Sequence, residues 1–122
     1  MASHKQVVLS LAEDTIVAGQ DLHGKVLINY SGRFDSLVIN SQIENSNDVF
    51  SYTYLNGKKI NHPYARLSTF KSELGGRNPI DFTATTKHVP TSGQSNVKFR
   101  VSLIQEHKEI FNDVVFIRIV EA

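Results

Sequence analysis

The sequence predicts an all-β fold: an antiparallel two-sheet β-sandwich of about seven to nine strands. Apolar and polar residues alternate along nearly the whole chain, which is the period of a half-buried strand. Turn-forming clusters separate the alternating segments at regular spacing, as in sandwiches. The length of 122 residues, with 40% hydrophobic residues, suits one core, so we expect a single domain over residues 1–122.

The first half of the chain is predicted to form five strands, separated by turn signals. In the second of them, Leu22, Gly24 and Val26 face one side, and mostly polar residues face the other. Between the fourth and fifth, Asn56-Gly57 favours a type I′ turn because both central residues need a positive φ. The predicted strands cover residues 6–13, 22–30, 36–44, 49–55 and 58–61.

The second half is predicted to form four strands, over residues 65–74, 80–86, 97–103 and 114–120. The stretch 104–111 has the composition of one helical turn, but alternating strands flank it, so a hairpin connection is predicted there. The last strand is apolar on both faces, with Val114, Phe116 and Val120 on one of them. Both faces cannot enter one two-layer core. Either a partner or a loop covers the second face, or the strand lies where both sides are buried. Our prediction for these three side chains is contact with a partner or a second copy of the chain.

Composition and charge narrow the classes of partner. The chain has 13 Lys and Arg residues against 12 Asp and Glu, a formal net charge of +1. Nucleic-acid binders and polybasic membrane-surface proteins usually carry a clear basic excess, so neither class is expected. No run approaches the roughly 18 apolar residues of a membrane span, so direct membrane insertion is not expected either.

The chain has no cysteine, which excludes disulfides, thiolate catalysis and cysteine-based zinc sites. The residues before the first strand contain no apolar run typical of a signal peptide. We therefore expect a cytoplasmic protein. An extracellular location is the alternative if the chain is cut from a longer protein.

No constellation of residues indicates catalysis, a cofactor or a metal. The polar cluster at 45–48 lacks the spacing of a calcium loop, and neither a lysine nor a helix follows the glycines at 75–76 as in a phosphate loop. No G-x-S-x-G motif or other sign of a Ser-His-acid set is present. None of the five histidines has a partner at metal-ligand spacing. They are His4, His23, His62, His88 and His107. We predict no catalytic, cofactor-binding or metal-ligating residue.

The N-terminal third carries a family resemblance. The turn A-G-Q-D at 18–21 leads into L-H-G-K-V at 22–26, and a strand with an L-V-I-N-S-Q-I core follows within 34–44. This pattern resembles arrestin-like domains. Macroglobulin-type and other immunoglobulin-like sandwiches use nearly the same pattern, so an immunoglobulin-like sandwich is the alternative. Arrestins use two sandwiches in tandem and this chain has room for one, so their receptor roles do not carry over. The resemblance implies an adaptor or scaffold rather than an enzyme.

An aromatic stripe is the other candidate for partner binding. Phe50, Tyr52 and Tyr54 lie at alternate positions of one predicted strand, and Lys58 and Lys59 follow on the hairpin return. Aromatic residues are enriched in the cores of interfaces, which makes the stripe a candidate binding surface. The alternative is that the stripe is the buried face of its strand, with the tyrosine hydroxyls reaching the rim.

These observations favour a non-enzymatic protein-binding module: an adaptor, scaffold or assembly subunit acting through an exposed sheet face or an edge strand. Its partner would be another protein or a second copy of the chain, without a cofactor. The alternative is an extracellular adhesion or carbohydrate-binding immunoglobulin-like module. A third hypothesis, an enzyme, needs a histidine that meets an acid or a serine in a pocket.

Overall fold

A computed structural model describes residues 5–61 and 65–122, and it contains the predicted two-sheet β-sandwich. It has ten strands instead of the seven to nine predicted, and one short 3-10 helix over Lys71–Leu74. The strands are β1 Val7–Leu11, β2 Thr15–Val17, β3 Leu22–Ile28, β4 Ser36–Ile43, β5 Ser51–Leu55, β6 Lys58–Lys59, β7 Arg66–Phe70, β8 Ile80–Thr85, β9 Gln94–Gln105 and β10 Lys108–Val120.

The two sheets have five strands each. The first has the order β1-β3-β8-β5-β6 and the second the order β2-β10-β9-β4-β7. Neighbouring strands pair antiparallel, except that β2 runs parallel to β10. This exception arises because the chain leaves the first sheet after β1 and joins the edge of the second sheet a few residues later.

The differences from the predicted strands have local causes. The additional strand, β2, is three residues long, too short to show an alternating pattern, and it forms by pairing with β10. The predicted strand 65–74 ends at Phe70 because the chain turns into the 3-10 helix. The predicted hairpin at 104–111 is confirmed: β9 and β10 continue to a turn at Glu106 and His107, both with positive φ.

The core lies between the two sheets and is built from one face of nearly every strand. Phe50, the residue before β5, meets Phe99 of the second sheet edge-on, with ring centroids 4.9 Å apart. Tyr52 and Phe82 pack against each other within the first sheet at 5.9 Å. Burial of these rings and of the surrounding aliphatic side chains is the main source of favourable folding free energy.

A β-bulge in β5 changes which side chains face the core. Tyr52 pairs with Ala84 and Tyr54 pairs with Thr83, so Thr53 is an extra residue without a partner in β8. A bulge shifts the alternation by one position. Tyr52 therefore points inward, whereas Tyr54 is 41% exposed.

Candidate functional site

The aromatic stripe is not a binding surface at two of its three positions. Phe50 and Tyr52 are 0% and 1% exposed, on the inner face of the sandwich. The prediction that they contact a partner is therefore wrong, because they fill the space between the sheets. Tyr54 lies on the outer face of the first sheet, beside Lys59 on β6.

Lys58 and Lys59 are exposed, at the tip of the β5–β6 hairpin. They line an open cleft of about 370 Å³ together with Asn56 and Arg77. The Arg77 guanidinium donates a hydrogen bond to the Asn56 carbonyl at 3.4 Å, which holds the 3-10 helix segment against the hairpin turn. The cleft is basic, but its cationic groups lie on exposed side chains.

Val114, Phe116 and Val120 lie where the pattern of the last strand predicts, on the outer face of the second sheet. Phe116 is 66% exposed, whereas Ile117 and Ile119 are 3% and 0% exposed on the inner face. Among the described residues Phe116 is the most exposed of the large apolar side chains, and Phe70 follows at 64%. Phe116 lies on the 13-residue strand β10, whereas Phe70 ends the short edge strand β7. The surface around Phe116 contains Val114, Phe116 and Arg118 of β10, Lys98 of β9 and Gln42 of β4. We refer to these five residues as the Phe116 face.

The Phe116 face is basic. Lys98 lies directly opposite Phe116 in the ladder of β9 and β10, and Arg118 follows Phe116 on the same face of β10. Beside this surface, Arg100 and Glu109 neutralise each other through two hydrogen bonds, one of them 2.9 Å long from Nε. The hydrogen bonds from Arg100 hold the pKa of the Glu109 carboxyl below its usual value. Glu109 is therefore committed to Arg100 and does not offset Lys98 and Arg118.

A hydrogen-bond relay at one end of the sandwich joins residues that no sequence motif connects. Asp48 Oδ2 lies 2.7 Å from His88 Nδ1, and Ser95 Oγ lies 3.0 Å from His88 Nε2. Three separate segments supply them: the turn before β5, the loop after β8 and the start of β9. We refer to Asp48, His88 and Ser95 as the relay. Only strand pairing between distant segments brings them together, so no local motif could have indicated it.

The relay has the connectivity of a Ser-His-Asp triad, but its exposure is reversed. The Ser95 residue is 8% exposed and points into the sandwich, while the Asp48 side chain is 62% exposed. A nucleophile has to be reached by its substrate. The hydrogen bond from His88 instead holds the pKa of Asp48 below its ordinary value, which keeps this exposed carboxylate ionised. The relay therefore presents a carboxylate to solvent rather than a hydroxyl.

Neighbouring hydrogen bonds fix the geometry of the relay. Thr86 Oγ1 donates to the Val49 carbonyl at 2.9 Å and accepts from the His88 amide at 3.2 Å. Ser46 Oγ accepts the Asp48 amide at 2.9 Å, as expected for a polar turn. Between the segments lies an open pocket of about 430 Å³, lined by Asp48 and His88 among others.

The described residues contain neither a metal-binding cluster nor a membrane-spanning helix. Within residues 5–61 and 65–122, no three His, Asp or Glu side chains are grouped closely enough to hold a metal ion. None of the helical residues there forms a segment long and apolar enough to cross a bilayer. His4 and His62 lie outside the described residues.

Comparison with known proteins relates the chain to a fold rather than to a function. No protein-family model matches the sequence, and no curated protein matches it. The crystal structure of the human F-spondin reeler domain is similar, with a TM-score of 0.55 and 12% sequence identity. The similarity covers 100% of this chain and 93% of that one. At this identity it shows the fold alone, and the chain is a β-sandwich similar in architecture to a reeler domain.

Proposed function

We propose that this protein is a non-enzymatic binding module that docks an acidic protein surface on the Phe116 face. The observation that carries the proposal is the 66% exposure of Phe116 on the long strand β10 of the second sheet. Interfaces are usually anchored by aromatic residues on rigid elements, surrounded by a polar rim. Val114 extends the apolar centre, and Gln42, Lys98 and Arg118 form the rim.

The charge of the rim supports an acidic partner. Lys98 and Arg118 flank Phe116, and among the described residues neither makes an ion pair. Glu44 is an acidic residue beside this surface, next to Asn96 at the end of β4. Complementary charge across an interface raises the association rate and suppresses wrong partners. A partner surface rich in Asp and Glu, with an apolar side chain to contact Phe116, fits this arrangement best.

Docking on the face is better supported than addition of a partner strand at an edge. The edge strands β1, β2, β6 and β7 have five, three, two and five residues. The outward amide of Leu9 on β1 donates to Asp113 at 2.8 Å, and that of Phe70 on β7 donates to Glu73 at 3.1 Å. Edge strands this short are poor templates for another strand, and β1 and β7 each have an outward amide that is already bonded.

The finer fold class is part of this proposal. In an immunoglobulin sandwich the strand order is A-B-E-D in one sheet and G-F-C in the other. The orders β1-β3-β8-β5 and β10-β9-β4 correspond to these, which supports the immunoglobulin-like alternative. The position of β7 beside β4, after β5 in the chain, departs from the immunoglobulin strand order.

The proposal retains the cytoplasmic location expected from the sequence, which fractionation of cells that express the full chain would test.

A peptide selection tests the proposed face without a known partner. Random peptides displayed on phage are selected on the wild-type protein and counter-selected on the Phe116→Ser variant. We expect enriched peptides with several Asp or Glu residues around an apolar one. Their binding should weaken at least tenfold in the Lys98→Glu variant and fall between 50 and 500 mM salt, since exposed charges are screened.

Tyr54→Ser is the matched control, since it removes an exposed aromatic ring from the opposite sheet. It should leave binding of the selected peptides unchanged. The proposal is overturned if no peptide distinguishes the wild-type protein from Phe116→Ser, or if the selected peptides bind Lys98→Glu as tightly as the wild type.

A further inference from the structure

We propose that the pocket beside the relay binds a neutral, hydroxyl-rich ligand, of which a sugar ring is the common biological form. This site is separate from the Phe116 face and does not depend on it. The pocket has a volume of about 430 Å³, within the roughly 300–1,000 Å³ range of small-molecule sites. It opens at the end of the first sheet, where Ser51 and Thr85 pair across β5 and β8.

The acidic group that lines this pocket is the Asp48 carboxylate. Its side chain is 62% exposed, yet Oδ2 is held at 2.7 Å by His88, whose side chain is 9% exposed. Ser95 fixes the other ring nitrogen of His88 at 3.0 Å. An exposed carboxylate that is oriented from behind by a buried ring loses little conformational entropy when it accepts a ligand hydrogen bond. With 62% of the side chain exposed, the carboxylate can be reached from solvent by a ligand hydroxyl.

The remaining lining matches a neutral ligand better than a charged one. Asp48 and Lys87 place one negative and one positive group on the same pocket, so either sign of charge would meet a like charge. Asn47 and Ser51 add uncharged groups that both donate and accept hydrogen bonds. The Thr85 hydroxyl, which donates to the Gln20 carbonyl at 3.4 Å, adds an acceptor. Val49 is 47% exposed at the same pocket and offers an apolar contact for carbon-bound hydrogens. Alternating hydroxyl and C–H groups on a rigid ring would satisfy this lining.

The expected affinity determines the method. Small ligands gain about 0.3 kcal/mol per heavy atom unless they are exceptional, which places a monosaccharide in the millimolar range. Two-dimensional 1H–15N NMR titration of the full chain detects such binding. The ligands are glucose, galactose, mannose and N-acetylglucosamine, each added to about 50 mM. We expect at least one to give saturating shifts in the amides of residues 47–51 and 85–88.

Asp48→Asn is the decisive variant, because Asn keeps an oxygen for His88 and the spectrum itself reports whether the fold is retained. Loss of the charged acceptor should weaken the sugar about tenfold or more. Asp81→Asn, an exposed carboxylate elsewhere on β8, and Phe116→Ser should both leave it unchanged. The proposal is overturned if none of the four sugars shifts these amides, or if the shifts saturate equally in Asp48→Asn.

Discussion

At the scale of one residue, the glycine within β3, Gly24, lies directly against an aromatic ring of the neighbouring strand β8. A Cβ at this position would lie 2.2 Å from Cζ of Phe82, its partner across β3 and β8. Phe82 is 2% exposed, so the added methyl group would displace a ring that is packed in the core. The glycine is therefore needed for the close approach of an aromatic ring and not for a turn.

We expect Gly24→Ala to lower the free energy of unfolding by about 1–3 kcal/mol, because overpacking forces the ring or the backbone to shift. Urea unfolding followed by circular dichroism measures this. Phe82→Leu in the Gly24→Ala background should recover part of the loss, since the two positions share one contact. This explanation is contradicted if Gly24→Ala costs as much stability in the Phe82→Leu background as it does in the wild type.

Tyr52 fills its site with an aromatic ring, but its hydroxyl is buried without a hydrogen-bond partner among the described residues. Its residue is 1% exposed, and among the described residues neither its hydroxyl nor that of Ser41 has a hydrogen-bond partner. Burial raises the pKa of the Tyr52 hydroxyl well above its usual value, and the nearby Ser41 hydroxyl, which lacks hydrogen-bond geometry to it, lowers the pKa only in part, so the group stays neutral. A buried hydroxyl without a partner carries a desolvation cost.

Tyr52→Phe should therefore leave stability unchanged or raise it by up to about 1 kcal/mol. Tyr52→Ala should cost about 3–5 kcal/mol, because it leaves a cavity between the sheets. Thermal unfolding of both variants distinguishes the contribution of the ring from that of the hydroxyl. A loss above about 1 kcal/mol in Tyr52→Phe would mean that the hydroxyl has a partner, such as a buried water.

At the scale of the element, Asp113 attaches the edge strand β1 to the other sheet. Its carboxylate accepts the Leu9 amide at 2.8 Å and the Lys5 ammonium at 2.9 Å. Burial alone would raise the pKa of Asp113, but the hydrogen bonds from Leu9 and Lys5 outweigh it and lower the pKa. The residue is 7% exposed, whereas the Lys5 side chain is 64% exposed. The bond to the Leu9 amide is therefore the better protected of the two.

Asp113→Ala should destabilise the protein by about 1.5–3 kcal/mol, the usual cost of losing hydrogen bonds to a buried charged group. Lys5→Ala should cost under about 1 kcal/mol because that pair is largely exposed. Hydrogen exchange would localise the effect: the Leu9 amide should exchange faster in Asp113→Ala, and amides in the centre of β9 should change less. Uniform acceleration across both sheets would contradict a local role for Asp113.

The elements that the sequence predicts well are those set by local pattern. Alternation places β3, β8 and β9 close to their observed bounds, and the Asn56-Gly57 turn is confirmed by φ values of 51° and 79°. The elements it misses depend on distant partners. β2 exists because β10 lies beside it, and Tyr54 faces outward because of a bulge whose position is set by pairing with β8.

At the scale of the whole molecule, the same limit applies to the candidate sites. Phe116 could be proposed from sequence because both faces of one strand are apolar, a local signal. The relay could not, since Asp48, His88 and Ser95 meet only when two loops and a strand end converge. Asp48 lies in a polar cluster whose composition resembles that of a calcium loop but whose spacing does not. The sequence around Asp48 therefore did not indicate that it would contact His88.

The stability of the protein in acid depends on several carboxylates that are stabilised in their ionised form by the fold. The pKa values of Glu13, Asp48, Glu109 and Asp113 are all lowered in the folded state. The unfolded chain, with values of about 3.9 for Asp and 4.3 for Glu, therefore binds more protons than the folded one. Stability from these groups is fully present above about pH 5 and is lost as the pH falls through the folded values.

We therefore expect the free energy of unfolding in urea to be nearly constant from about pH 7 to 5 and to fall between about pH 4.5 and 2.5. Asp113→Asn cannot ionise, so it should be less stable at pH 7 and show a shallower decline. Its curve should approach that of the wild type as the pH falls through the lowered pKa of folded Asp113, because protonation removes the charge from the wild-type side chain as well. Parallel curves for the two proteins across this range would show that Asp113 does not contribute to the linkage, and a wild-type protein as stable at pH 2.5 as at pH 7 would contradict the lowered pKa values as a group.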